Sequence, residues 1–204
     1  MSTMINTLKI KIASLVLLAG CSGNWETNYA APLDEAVARS WNVTEVSVSV
    51  PSDLTTTERN SYAPNADIVW HGEPAGDRRA QAAAILQTGI SHGAETLRGN
   101  QPVTLNVVLQ EFHALTPAAR DRAPSAVHNI TYTIQVNDAR TGEPLTQQQL
   151  IRADLEAFVG EAAYQALARG ESQKVRITRH LSAVTASWLG TGPDVRRTFS
   201  STGR

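Results

Sequence analysis

The chain has 204 residues, 42% of them hydrophobic and 18% charged, which is the range of an ordinary folded domain and excludes gross disorder. Eighteen basic against nineteen acidic side chains leave a formal charge of -1 with no long run of one sign, so nothing points to capture of nucleic acid by charge. A single cysteine excludes an internal disulfide, and no Cys/His cluster has the spacing of structural zinc.

Lys9 and Lys11 precede an uncharged stretch from Ile12 to Gly20, and the first twenty residues hold no acid. A short cationic segment followed by a short apolar one is the layout of an export leader. At a rise of ~1.5 Å per residue the apolar stretch spans about 14 Å, half of a ~30 Å hydrocarbon core, so it is too short to stay in a membrane as a helix. Leu18, Ala19, Gly20 and Cys21 resemble the lipobox of bacterial lipoproteins, in which the thiol receives a diacylglyceryl group and cleavage leaves that Cys as the new N-terminus. The resemblance implies a leader over 1–20, a lipidated Cys21 and membrane lipid as the first partner, because two or more acyl chains anchor stably. Ser22 stands where an Asp retains many lipoproteins at the inner membrane, which implies the outer membrane and a periplasm-facing domain. Loss of both leader lysines leaves 16 basic against 19 acidic side chains, a formal charge of -3. Residues 22–31 are small and polar apart from Trp25 and Tyr29, so 21–32 is expected to be a tether, with the fold starting near Leu33.

Val46, Val48 and Val50 alternate with serines ahead of Pro51, the period of a half-buried strand, so Val43 to Val50 is the first predicted strand. Ala66 to Trp70 is the second. From Asp77 the spacing changes to three- and four-residue steps through Ala82, Ile85, Leu86, Gly89, Ile90, Gly93 and Leu97, predicting an amphipathic helix capped by Asp77 and stopped at Gly99. Its small residues, Ala82, Ala83, Gly89 and Gly93, are expected to let it approach a sheet closely. Val103 to Leu109 and Ile130 to Val136 alternate as clear strands, joined by a long loop holding Pro117, Arg120, Asp121, Arg122 and Pro124. Thr141 and Gly142 form a tight turn into a strand within Leu145 to Leu155. Glu161 to Arg169 and Val175 to Gly190 read as helices, and the tail from Pro193 reads as basic and loosely ordered.

With no internal repeat or linker, 33–190 is expected to be a single α+β domain, followed by a flexible tail over 191–204. The order ββαβββαα predicts an antiparallel or mixed sheet of about five strands with helices packed on one face. Trp41, Trp70 and Trp188 read as core residues, with Trp70 alternatively part of a recognition patch.

The segment His71 to Arg79 places an imidazole, a carboxylate, two glycines and two guanidiniums between a strand and a helix N-terminus, where backbone N–H groups favour anions. His71, Glu73, Asp77 and Arg78 are therefore the candidate ligand-binding residues. The alternative is structural: the glycines shape the turn, Asp77 caps the helix and the arginines are solvated. His92, His113, His128 and His180 show no i, i+4 pair, so no metal is expected. No Gly-x-Ser-x-Gly elbow is present, and Asp34 with Glu35, or Asp154 with Glu156, read as solvent-facing or capping acids rather than as a glycosidase pair. No enzyme and no cofactor is expected. Arg120, Arg122, Arg196 and Arg197 read first as solvated cations, with acidic partners or lipid headgroups as the functional alternative.

Trp70-His71-Gly72-Glu73-Pro74-Ala75-Gly76-Asp77-Arg78 before a helix, the Asp138-Ala139-Arg140-Thr141-Gly142-Glu143 turn, the closing Gln173 to Pro193 helix and the lipobox together resemble a family of uncharacterised alphaproteobacterial lipoproteins classed as a domain of unknown function. The layout is also distantly similar to auxiliary lipoproteins of envelope transport systems. These resemblances imply a membrane-anchored, non-enzymatic interaction or accessory module of the cell envelope, with an envelope protein or transport complex as partner. The alternative expectation is a small-ligand or anion-binding protein, or an enzyme, using the His71 to Arg79 loop.

Overall fold

The computed structural model describes residues 25–200. In chain order the elements are β1 (Trp25–Asn28), α1 (Glu35–Ala38), β2 (Trp41–Ser49), β3 (Ile68–Val69), α2 (Arg78–Ala94), β4 (Gln101–His113), α3 (Pro117–Arg122), β5 (Ala126–Asp138), β6 (Gln149–Ala153), β7 (Leu155–Ala157), α4 (Gly160–Ala168), α5 (Gln173–Trp188) and β8 (Arg197–Phe199). The strands form one mixed eight-stranded sheet in the order β2-β4-β5-β6-β1-β8, with β3 also on β4 and β7 also on β5.

β2 runs parallel to β4, and the α2 crossover that joins them supplies the length a parallel pair needs. β4 and β5 are antiparallel and carry the strictest alternation: Val103, Leu105, Val107 and Leu109 are buried, as are Ile130, Tyr132, Ile134 and Val136. Their opposite faces, with Thr104, Asn106, Thr131 and Thr133, are polar and half-buried. A pleated strand with one apolar face buries that face under helices, here α2 and α5.

Gly89 and Gly93 serve a different contact from the one their spacing predicts. A Cβ on Gly89 would lie 2.6 Å from the Leu181 Cβ, and one on Gly93 would lie 2.5 Å from the Ser182 carbonyl oxygen, so both glycines face α5 and not the sheet. They let the two helices cross at close range over the core. α2 ends at Ala94, ahead of the predicted stop at Gly99, yet Leu97 remains buried beyond it.

Four expectations about the chain ends, connections and strands are corrected. The predicted tether is structured from Trp25: β1 pairs antiparallel with β6 and β8, and Tyr29 is buried with its hydroxyl 2.5 Å from the Ser187 Oγ. The tail predicted to be loose pairs with β1 through Arg197–Phe199, in register Trp25 with Phe199 and Thr27 with Arg197. The β4–β5 connection contains a short helix, α3, because Thr116 caps it through the Ala119 amide and Pro117 occupies its first turn. The single strand predicted over 145–155 is two, β6 and β7, which hold one register against β5 and are separated at Asp154. Trp41, Trp70 and Trp188 are all buried, as predicted.

Candidate functional site

The segment from Trp70 to Arg79 joins β3 to α2 and wraps an indole. Trp70 is fully buried, edge-on to Phe112 at 5.8 Å, and its Nε1 donates to Glu73 Oε2 at 2.9 Å. A Cβ on Gly72 would fall 2.2 Å from the Trp70 ring, so glycine is required where the chain folds over it. Lys174 of α5 donates to the other Glu73 oxygen at 2.7 Å, and this bond holds the Glu73 carboxyl below its ordinary pKa. Asp77 caps α2 by accepting from the Ala80 amide. Arg78 is buried and makes a two-pronged ion pair with Glu58, at 2.6 and 2.8 Å, while its Nη1 donates to the Glu73 and Pro74 carbonyls and to Gln81 Oε1. The Arg78–Glu58 hydrogen bond raises the Arg78 pKa and lowers that of Glu58. Arg79 donates to the Ser52 and Leu54 carbonyls, tying the 50s loop to α2.

Of the four candidate ligand-binding residues, Glu73, Asp77 and Arg78 thus spend their polar atoms within the fold: Glu73 on Trp70 and Lys174, Asp77 on the α2 cap, and Arg78 on Glu58, Gln81 and the strap carbonyls. They do not converge on an open space. Only His71 lines a cleft, a volume of about 160 Å³ between this strap, α3, α4 and the start of α5. Burial lowers the His71 pKa, opposed by Glu58 and reinforced by Arg78, and its Nε2 is buried without a partner among the described residues.

Apart from Gly72 and Arg120, the rest of the cleft comes from residues whose sequence context carried no signal. Phe158, Leu167 and two alanines of α4 form an apolar wall, and the Arg176 guanidinium lies 3.7 Å above the Phe158 ring. Arg176 donates to the Glu156 carbonyl at 2.7 Å, burial lowers its pKa, and no carboxylate lies within ion-pair distance of it among the described residues. The other lining charges are engaged elsewhere: Arg120 with Asp121, and Glu171 with Arg169 and Arg179. The cleft therefore offers one guanidinium with no carboxylate in ion-pair range beside an apolar wall, a pairing that suits a small anionic group carrying some hydrocarbon.

A second polar group of residues is structural. The Asp154 carboxylate, at the break between β6 and β7, accepts from the Glu26 amide at 3.1 Å and the Ile130 amide at 3.4 Å, while burial raises its pKa. Thr27 donates to the Asp154 carbonyl and lies 3.4 Å from His180 Nε2. His128 is fully buried, neither of its ring nitrogens has a partner among the described residues, and burial pushes its pKa down to about 3. These residues stitch β1 onto the sheet and α5. Among the described residues no group of three or more His, Cys, Asp or Glu side chains could hold a metal ion, and no helix is long and apolar enough to cross a membrane. Cys21 lies outside the described residues.

An α+β chain with a mixed sheet and helices over one face is the class this architecture defines. The profile of a family of unknown function (DUF6778) matches residues 41–204, and the chain belongs to that family. No curated protein matches it. Among solved structures, a candidate lipoprotein from Caulobacter crescentus aligns at 13% identity and TM-score 0.36, covering 78% of this chain and 97% of that one. A PelC dodecamer from Paraburkholderia phytofirmans aligns at 11% identity and TM-score 0.35 over 80% and 94%. A minor lipoprotein from Acinetobacter baumannii aligns at 12% identity and TM-score 0.33 over 72% and 90%.

Proposed function

We propose that the protein is a lipid-anchored, non-enzymatic accessory module of the bacterial cell envelope, tethered through Cys21 and facing the periplasm. The observation that carries this reading is Cys21 itself, which closes a short cationic and apolar leader four positions before the sheet begins at Trp25. The position of β1 supports it: an anchor so close to a strand held between β6 and β8 fastens the whole sheet, and not a loose arm, to the membrane. Ser22 favours the outer membrane over the inner. The partner in this reading is an envelope protein or transport complex, and copurification with the lipidated form is the route to it.

Membrane fractionation tests the anchor. The wild type is expected in the membrane fraction with an acylated Cys21 at its N-terminus by intact mass. Cys21→Ser, or globomycin treatment, should leave the leader attached. A soluble wild type with a bare thiol or a different N-terminus overturns the reading.

One observation favours a second reading, binding of a small anionic ligand: the Arg176 guanidinium in the cleft, which has no carboxylate in ion-pair range among the described residues. Titration with inorganic phosphate and with short carboxylates, followed by NMR on wild type and Arg176→Gln, decides it. Shifts centred on His71, Phe158 and Arg176 that vanish in the variant support the reading, and shifts spread over the surface overturn it.

A further inference from the structure

We infer that the end of the domain built by α3, α4 and the turn after β7 is a membrane-contacting face that rests on the lipid surface into which Cys21 is anchored; this inference depends on the anchoring proposed above. Cys21 and Trp25 are four residue steps apart, so even a fully extended chain lets the start of β1 stand no more than ~14 Å from the Cys21 Cα. The domain is held against the membrane by the end of the sheet at which β1 begins.

Strand register identifies that end. Thr27 is paired with Ala153, so Trp25 stands level with Leu155, and β7 continues from there to Ala157 and into α4. Phe158 is therefore about one strand spacing and three residues on from Trp25, on the order of 11 Å. Eight large hydrophobic side chains are exposed among the described residues, and four of them, Tyr62, Phe158, Tyr164 and Leu167, gather here. Phe158 precedes α4, Tyr164 and Leu167 lie on it, and Tyr62 follows Ser61, whose carbonyl accepts from the Thr116 cap of α3. Tyr164 reaches α3 by donating to Asp121 Oδ1 at 2.9 Å.

The charges around these rings suit lipid headgroups. Arg120 lies 5.3 Å above the Tyr164 ring and Arg176 lies 3.7 Å above that of Phe158, an arrangement in which an aromatic enters the interface while the cation stays at phosphate level. Asp121 is neutralised by Arg120, and Glu171 by Arg169 and Arg179, whereas Arg122 and Arg176 have no carboxylate in ion-pair range among the described residues and outnumber Glu161, the exposed acid without an ion pair in the first turn of α4. Aromatic and aliphatic side chains rimmed by arginine, carried on a short helix beside an acyl anchor, make a second, reversible membrane contact. The face orients the domain, and the polar side of the sheet is left turned away from the helices.

Depth-dependent quenching tests this. Acylation of Cys21 blocks the only native thiol, so Tyr164→Cys, Leu167→Cys and, at the far end of the sheet, Leu145→Cys each carry a single reactive site for an environment-sensitive fluorophore. The full mature protein is reconstituted into phosphatidylethanolamine and phosphatidylglycerol vesicles doped with headgroup-labelled nitroxide lipid. Probes at 164 and 167 are expected to shift to the blue and to be quenched severalfold more strongly than the probe at 145. Equal quenching at all three sites in protein that floats with the vesicles overturns the face while leaving the anchor standing. Protection of 164 and 167 in native envelopes but not in vesicles also overturns it, and assigns the face to a protein partner. Failure to float, with a bare Cys21 by mass, removes the anchor and the face together. Circular dichroism on each variant verifies that the fold is intact.

Discussion

The core under α2 and α5 and the small cluster under α3 and α4 solve the same problem with very different means. The first buries Trp70, Trp188, Tyr132, Phe112 and a dense set of aliphatic side chains, and uses two glycines to bring the helices together. The second consists of Leu115, Ala119, Ala157 and Val159, with Ala123 and Ala126 packed against it. Because stabilisation scales roughly with apolar area removed from water, most of it resides in the first region. The second keeps Tyr164 and Leu167 at the surface although burying them would strengthen the cluster. A region that contributes little to stability and displays aromatic side chains is free to serve contact with something outside the chain.

Substitutions separate the two regions. Trp70→Ala removes the ring over which Gly72 and Glu73 are folded and should lower unfolding free energy by about 3–5 kcal/mol in urea titration. A change well under that range would mean that the strap carries its own stability. Acidification comes next. His128 and His180 have native pKa values of about 3 and about 4, below the unfolded value of 6.5, so between these limits the unfolded chain binds protons that the folded one does not. Stability should therefore fall as pH drops below about 6.5, by up to ~1.4 kcal/mol per pH unit for each imidazole, down to about 4 for His180 and about 3 for His128. Asp154, raised by burial, opposes the trend at its acid end. His128→Leu should flatten the profile, and an unchanged slope would place the titration elsewhere.

Gly93→Ala forces a methyl group against the Ser182 carbonyl and the Thr185 side chain and should cost about 1–3 kcal/mol, seen as a lower thermal midpoint. Neutral behaviour would show that α2 and α5 can separate without loss. Leu167→Ser, by contrast, should change unfolding by less than about 0.5 kcal/mol. A larger loss would mean that the α3–α4 region is held by packing after all and would weaken the comparison.

Much of the sheet was legible because its signals are local. The alternation in β4 and β5 and the three- to four-residue steps of α2 follow from backbone geometry and one-sided burial, and they require no knowledge of a partner. The candidate site was legible only as a segment. That Arg78 would be consumed by Glu58, twenty residues earlier, depends on how the 50s loop returns to α2, and no spacing rule encodes that return.

The sequence alone determined the α+β class and the tryptophan core, each of which rests on composition or on a period within one stretch of chain. Tertiary structure decided the rest. Strands of four and three residues such as β1 and β8 have too little pattern to read, and they exist because distant neighbours supply their hydrogen bonds. The cleft and the exposed aromatic end arise in the same way, where strand register and helix ends bring together residues more than a hundred positions apart.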